Sequence, residues 1–194
     1  GKASPTHVFV YDGGKSWRDL GQVGNGTRVM CLASFKGEIY AGLDRNGGGK
    51  CFKYDGQQWH DLGAPDGRNF ECLLPMGGRL YAATHGNVYL YEGVERWKSI
   101  GNELFGEDQI HALTVFNGKL HAGCWPAGYV LRYEGDMNWV ITGQLGITRG
   151  KNNEVMDLVT YNGKMYAGVI PRAEVYRYES DGNWTLMKSL VSKS

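Results

Sequence analysis

The chain has 194 residues, 42% of them hydrophobic and 12% aromatic, which is enough apolar material for a packed interior. Lys and Arg number 21 against 20 Asp and Glu, a formal net charge of +1. That balance leaves no electrostatic footprint for a nucleic acid or an anionic membrane surface, and no apolar run in the sequence approaches the length that crosses a bilayer.

The first residues, Gly1-Lys-Ala-Ser-Pro-Thr6, lack the make-up of a signal peptide. With no initiator Met, the chain is expected to be a mature, processed or trimmed product, and its aromatic, glycine-rich character leans toward an extracellular setting. The opening element, Val8-Phe-Val-Tyr11 followed by Trp17-Arg-Asp-Leu20, reads as two strands joined at Asp12-Gly13-Gly14. Gly21-Gln-Val-Gly-Asn-Gly-Thr27 is a loop by its glycine content.

From Arg28 a longer unit begins, and it recurs. It reads Phe35-Lys-Gly-Glu-Ile-Tyr-Ala-Gly42 to Trp59, then Met76-Gly-Gly-Arg-Leu-Tyr-Ala-Ala83 to Trp97, then Phe116-Asn-Gly-Lys-Leu-His-Ala-Gly123 to Trp139, then Tyr161-Asn-Gly-Lys-Met-Tyr-Ala-Gly168 to Trp184. Each copy predicts four strands. The first carries a leucine (Leu32, Leu73, Leu113, Leu158) and reverses at Lys36-Gly37, Gly77-Gly78, Asn117-Gly118 or Asn162-Gly163. After the second strand and a variable loop, an aromatic strand leads through a turn built on Asp55-Gly56, Glu92-Gly93, Glu134-Gly135 or Asp181-Gly182 to the strand bearing Trp. No stretch has a helical period of apolar residues.

Short strands repeating at roughly 40 residues predict an all-β fold, a β-propeller of four-stranded antiparallel blades. The expected bounds are a half repeat at 7–21 and full repeats at about 28–63, 69–101, 109–143 and 154–190, within one domain spanning 1–194. The recurrent rings Trp17, Trp59, Trp97, Trp139 and Trp184 are expected to wedge between neighbouring blades. Ala41-Gly42, Ala82-Ala83, Ala122-Gly123 and Ala167-Gly168 are expected to let those blades approach closely.

The run Asn-Gly-Lys-Leu-(aromatic or His)-Ala-Gly, an aromatic strand ending Tyr-(Asp/Glu)-Gly, and then Trp resembles Kelch-type repeats of galactose-oxidase-like propellers, from about Val8 to Leu190. The pattern departs where the Kelch Gly-Gly pair is Ala-Gly or Ala-Ala. The resemblance implies a propeller that serves as a binding scaffold, and it carries no catalytic residue across. Ser180-Asp181-Gly182-Asn183-Trp184 is also similar to the Asp-box turn of sialidase-like propellers, a structural turn away from the catalytic face.

Four copies and two orphan strands leave the closure open. If the opening hairpin were the outer half of a fifth blade, its inner half would have to follow Leu190, where only Val191-Ser-Lys-Ser194 remains. Three outcomes stand: a four-bladed ring with a surplus hairpin, an open arc completed by another copy or a partner, or a piece of a longer propeller. Association is favoured, because an open arc would leave apolar faces in water and strand edges unpaired.

Recognition is expected on the irregular segments, the loops between second and third strands and the connectors between copies, which should project from one rim. The candidate binding residues there are Arg45, Asn46, Arg68, Asn69, His85, Asn87, Trp125 and Arg172, with Glu107, Asp108, Gln109, Arg149, Lys151 and Asn152 in the connectors. Trp125 stands out because it alone among the tryptophans lies outside the repeated slot, where an indole could stack on a sugar or anchor a protein partner. Glu71 and His111 share a slot on the first strands and are candidates to line a central channel, while His121 replaces a Tyr and is expected to pack as an aromatic.

Cys31, Cys51, Cys72 and Cys124 form no Cys-x-x-Cys pair and read as small core thiols, with a Cys31–Cys72 disulfide as the alternative. No nucleophile elbow, phosphate loop or metal motif occurs. No catalytic residue, metal or cofactor is therefore assigned, and neither nucleic acid nor membrane is expected as a partner. The leading expectation is a non-enzymatic module that binds a protein partner or another copy of itself through its loop face and free blade edges. A lectin with a glycan site around Trp125 is the alternative, and an enzyme using Glu71, His111 and Asp157 is a third reading.

Overall fold

In the computed structural model, which describes residues 5–102, 104–146 and 152–190, the chain is all-β. A hairpin, β1 (His7–Gly13) and β2 (Ser16–Gln22), is followed by four four-stranded sheets. The first holds β3 (Val29–Phe35), β4 (Glu38–Leu43), β5 (Cys51–Tyr54) and β6 (Trp59–Asp61) in chain order. The second holds β7 (Phe70–Met76), β8 (Arg79–Thr84), β9 (Asn87–Gly93) and β10 (Arg96–Asn102). The third holds β11 (Gln109–Phe116), β12 (Lys119–Trp125), β13 (Tyr129–Gly135) and β14 (Asn138–Gln144). The fourth holds β15 (Glu154–Tyr161), β16 (Lys164–Ile170), β17 (Glu174–Ser180) and β18 (Asn183–Ser189). The chain divides into two compact units, Gly1–Ala82 with Tyr89–Lys98, and Ala83–Val88 with Ser99–Ser194.

Two-residue turns fold each sheet. Lys36-Gly37, Gly77-Gly78, Asn117-Gly118 and Asn162-Gly163 all take positive φ at both positions, the backbone whose twist matches that of the flanking strands. The second turn differs from the expectation. Glu134 and Gly135 end β13, where the register shifts after Tyr133, and the reversal falls on Asp136-Met137, both at positive φ. Val94-Glu95 does the same after Glu92-Gly93. Gly135 takes φ 103° at the irregularity, and the extra residue in one strand moves the turn onward. Asp181-Gly182 makes its turn as expected.

In the first unit the hairpin packs on the first sheet around Val8, Leu20, Val23, Leu43 and Phe52, and the first sheet packs on β7 around Tyr40, Leu62, Phe70 and Leu73. In the second unit Ala112, Val130, Val155, Leu158 and Tyr176 join the third sheet to the fourth. Gly42 and Gly123 make this approach possible: a Cβ on Gly42 would lie 2.6 Å from the Phe70 side chain, and one on Gly123 would lie 2.6 Å from Val155 Cγ1. Gly168 of the fourth sheet meets nothing within 4 Å.

The repeated tryptophans tie sheet to sheet by one device. Each indole Nε1–H donates to a backbone carbonyl on, or just after, the last strand of the preceding element: Trp59 to Leu20 at 3.0 Å, Trp97 to Leu62 at 2.9 Å, Trp139 to Ile100 at 2.8 Å and Trp184 to Thr142 at 3.0 Å. The acceptor always lies three residues after the Trp of the copy before it. Gly101 and Gly143 follow two of these carbonyls, where a Cβ would stand 2.8 Å and 2.3 Å from the incoming indole nitrogen. Trp139 is buried, whereas Trp59, Trp97 and Trp184 are half-buried.

Trp17 corrects the expectation of a wedge in every copy. It is 63% exposed, and among the described residues no preceding sheet receives its indole. All four cysteines are free thiols, with Cys51 and Cys124 fully buried. Burial pushes the Cys31 thiol well up, and the neighbouring Cys72 adds to it, which keeps it protonated as a core group.

Candidate functional site

Within each unit the loop between second and third strands is hydrogen-bonded to the connector from the preceding copy. In the first unit the hub is Asp44, which follows β4 and is fully buried. Its carboxylate accepts from Thr27 N at 3.1 Å, from the Thr27 hydroxyl, from Asn46 Nδ2 at 3.3 Å and from Gly47 N at 3.2 Å, with Arg28 Nε at 3.8 Å. Burial alone would push this carboxyl up, but the donors around it outweigh burial and hold it below the usual range. A carboxylate saturated this way holds a loop in place and has no lone pair set aside for chemistry.

Around that hub stand exposed Arg45, Asn46 and Arg68 and half-buried Asn69. Arg45 N donates to Asn69 Oδ1 at 2.7 Å, so loop and connector bring together four of the residues expected to bind. Gly49 lets them meet: a Cβ there would sit 2.0 Å from the Arg68 carbonyl oxygen. Asp44 was visible in the sequence only as one loop residue among several. An Asp two residues before Asn-Gly-Gly, turned inward as a cap, was the available signal.

The second cluster surrounds Trp125, at the end of β12 and half-buried. Asp108 N donates to the Trp125 carbonyl at 2.9 Å, Asn153 N donates to Pro126 O at 3.0 Å, and Ala127 bridges to Asn153. The Trp125–Pro126 bond is cis. The buried Glu107 carboxylate receives Ala127 N at 3.2 Å on both oxygens. Burial pushes Glu107 up to about 7, the Ala127 N–H pulls against that, and Asp108 adds to it. Arg149 and Lys151 lie outside the described residues, as do 191–194.

The other expected residues are not gathered into these clusters. Asn87 is buried and structural, its Oδ1 accepting from Val88 N at 2.8 Å and Ser99 Oγ at 3.3 Å. His85 is half-buried in the β8–β9 turn. Arg172 is exposed, with its carbonyl accepting from Ser189 Oγ at 3.1 Å. His111 Nε2 lies 2.6 Å from Glu154 Oε1, a partner that sequence reasoning missed. Glu71 is half-buried on β7 near Cys31. His121 is buried edge-on to Phe116 as expected, and burial lowers its pKa. Among the described residues no group of three or more His, Cys, Asp or Glu side chains could hold a metal ion.

Two clefts lie apart from these clusters. One, of about 210 Å³, is lined by Phe116, Asn117, Lys119, His121, Arg132 and Tyr178. Both its cations are engaged: Lys119 pairs with Glu134, and Arg132 pairs with Glu134 at 2.5 Å and with Asp181 at 2.6 Å. The other, of about 340 Å³, is lined by His7, Val8, Phe9 and residues 29–32.

No family model and no curated relative matches the chain. Solved structures do. Catalytically inactive virginiamycin B lyase from Staphylococcus aureus with quinupristin is similar over 96% of this chain and 64% of its own, at TM-score 0.74 and 12% identity. YCF48 bound to D1 peptide is similar over 91% and 59%, at TM-score 0.61 and 17% identity. The extracellular domain of a one-component system from B. thetaiotaomicron is similar over 81% of this chain and 22% of its own, at TM-score 0.63 and 14% identity. The chain spans less than two thirds of each of these proteins. Virginiamycin B lyase and YCF48 are β-propeller-type folds, and the successive four-stranded sheets of this chain fit that type.

Proposed function

We propose that this chain is a non-enzymatic binding module, a Kelch-like propeller or propeller segment, that engages a protein partner or a second copy of itself through its loop rim and its open sheet ends. One observation carries the reading. Slots that are buried inside the array are bare at its ends: Leu73, Leu113 and Leu158 are 6%, 6% and 4% exposed, whereas Leu32 in the same slot is 52% exposed. Phe9, Tyr11 and Trp17 are bare at the hairpin, as are Met156, Val159 and Tyr161 at the fourth sheet. Apolar surface of this kind is the usual mark of an interface. YCF48 with its bound peptide and the extracellular domain of a one-component system are consistent with a binding role.

Sedimentation velocity across a wide concentration range tests self-association. The unaltered chain is expected to associate with rising concentration, and the double variant Trp17→Ser, Val159→Ser to remain monomeric. A compact monomer at every concentration would remove self-association and leave the loop rim as the recognition surface. A glycan site at Trp125 is the second reading, favoured by a half-buried indole placed on an ordered loop outside the repeated slot. A glycan array comparing the chain with Trp125→Ala decides it, since hits unchanged by the substitution would end that reading.

A further inference from the structure

The 210 Å³ cleft lies at the turn ends of the third and fourth sheets, at the opposite end of β12 from Trp125 and within the second unit. The first sheet shows what the same place holds in another copy. Tyr40 pairs with Lys53 across β4 and β5 as His121 pairs with Arg132 across β12 and β13. The Tyr40 ring is 4% exposed and lies edge-on to Phe35, with centroids 5.6 Å apart, and edge-on to Tyr91 of the next sheet at 6.5 Å. Its hydroxyl hydrogen-bonds with Glu38. A phenol ring thus spans from the aromatic residue before the first turn to the third-strand tyrosine of the following sheet.

In the third sheet a shorter side chain stands there. His121 keeps the edge-on contact with Phe116, centroids 6.1 Å apart, and it is Phe116 that reaches Tyr178 of the fourth sheet, at 5.5 Å. An imidazole lacks the sixth ring atom and the hydroxyl of a tyrosine, and the cleft opens among Phe116, His121 and Tyr178. A cavity of roughly 150 Å³ accommodates benzene, so this one has room for a single six-membered ring with a small substituent.

The polar lining selects the substituent. His121 is 2% exposed, and among the described residues its ring hydrogen-bonds from Nδ1 to the Lys119 carbonyl at 3.1 Å. A carbonyl only accepts, so Nδ1 carries the proton and Nε2 of the neutral ring is an acceptor. Burial lowers the His121 pKa against the pull of that carbonyl, which keeps the ring neutral at pH 7. The charges around the cleft are matched among themselves. Lys119 pairs with Glu134, Arg132 pairs with Glu134 at 2.5 Å and with Asp181 at 2.6 Å, and the Tyr178 hydroxyl donates to Asp181 Oδ1 at 2.6 Å. A charged ligand would have to break one of these pairs. What the cleft offers is aromatic walls and one buried acceptor.

We propose that this cleft binds a single neutral phenol ring, which packs against Phe116 and Tyr178 and whose hydroxyl donates to His121 Nε2. Ring edges supply the packing, and the buried nitrogen rejects a ring that brings no donor. The site lies apart from the loop rim and the open sheet ends, so it stands or falls independently of the binding-module reading.

The probe is p-cresol, titrated into the full chain and followed by calorimetry and by amide shifts in NMR spectra. Saturable binding is expected, with the largest shifts at Phe116, His121, Arg132 and Tyr178. Toluene, which has the same shape without the hydroxyl, should bind roughly 10-fold more weakly. His121→Tyr gives the third sheet the residue that the other copies carry as Tyr40, Tyr81 and Tyr166, so it should fold as the unaltered chain does and lose p-cresol binding. His121→Phe keeps a ring and removes the acceptor, and should bring p-cresol down to the level of toluene. Absence of saturable p-cresol binding, equal binding of toluene and p-cresol by the unaltered chain, or p-cresol binding untouched by both substitutions each overturns the proposal. N-Acetyltyrosinamide identifies the source of the ring: binding at the same amides assigns the site to a tyrosine of a peptide, and failure to bind where p-cresol does assigns it to a free phenol.

Discussion

Trp17 and Trp139 occupy the same slot of the same repeat, and they live in different surroundings. Each packs against the tyrosine across its hairpin in nearly the same tilted way, Tyr11–Trp17 with centroids 5.0 Å apart at 48° and Tyr133–Trp139 with centroids 5.0 Å apart at 44°. Trp139 is 5% exposed and donates to the Ile100 carbonyl, whereas Trp17 is 63% exposed. The strand pair is thus complete in itself, and the indole becomes structural only when a preceding sheet offers a carbonyl. The same local motif serves as a fastening between two sheets and as bare surface on the hairpin.

The sharpest way to break that comparison is to truncate both rings. Trp139→Ala is expected to destabilise the protein by about 3–5 kcal/mol, the usual range for a large buried ring. Trp17→Ala should cost no more than about 1 kcal/mol, the scale of one exposed cross-strand pair. Chemical denaturation monitored by circular dichroism measures both, and equal losses would mean that the hairpin is covered in solution.

The glycines give a smaller version of the same contrast. A Cβ on Gly123 meets Val155 Cγ1 at 2.6 Å and the Val155 carbonyl oxygen at 3.0 Å, so Gly123→Ala should cost about 1–3 kcal/mol through overpacking. Gly168→Ala has open space around it and should be neutral, or stabilising by up to about 1 kcal/mol, as a strand gains from losing a glycine. Thermal melts of the two variants in parallel separate a packed interface from an open face.

The smallest effect distinguishes the two loop clusters, one built on an ionised carboxylate and the other on a carboxyl that resists ionisation. Glu107 is held up to about 7 from an ordinary 4.5, chiefly by burial. Its contribution to stability is therefore fully present below about 4.5 and is lost as pH rises through about 7. The stability difference between the unaltered chain and Glu107→Gln should shift against the unaltered chain across that window. A difference that stays flat with pH would mean that Glu107 titrates as an ordinary surface carboxyl.

Much of the fold was legible because its signals are local. Lys36-Gly37, Asn117-Gly118 and Asn162-Gly163 set positive-φ turns, and the strands between them alternate or run apolar as pairing demands. Two of the second turns were misplaced by two residues, since Asp136-Met137 and Val94-Glu95 take positive φ without a glycine and Gly135 is spent on an irregular register. Of the site, Arg45, Asn46, Arg68 and Asn69 were legible as a loop and a connector, and they do meet. Asp44 and Glu154 were not, because what distinguishes them is a partner far along the chain: Thr27 for the first and His111 for the second.

The sequence by itself determined the repeat, the turns and the strand pairs, all set by contacts between residues a few positions apart. Only the tertiary structure decided which copies of a repeated residue are interior and which are bare, because the burial of Trp139 or Leu158 depends on a neighbouring sheet about one repeat away. Trp17 and Leu32 carry the same side chains in the same local frame and stay exposed. Burial is a property of the neighbour, and no residue's own sequence context records whether that neighbour is there.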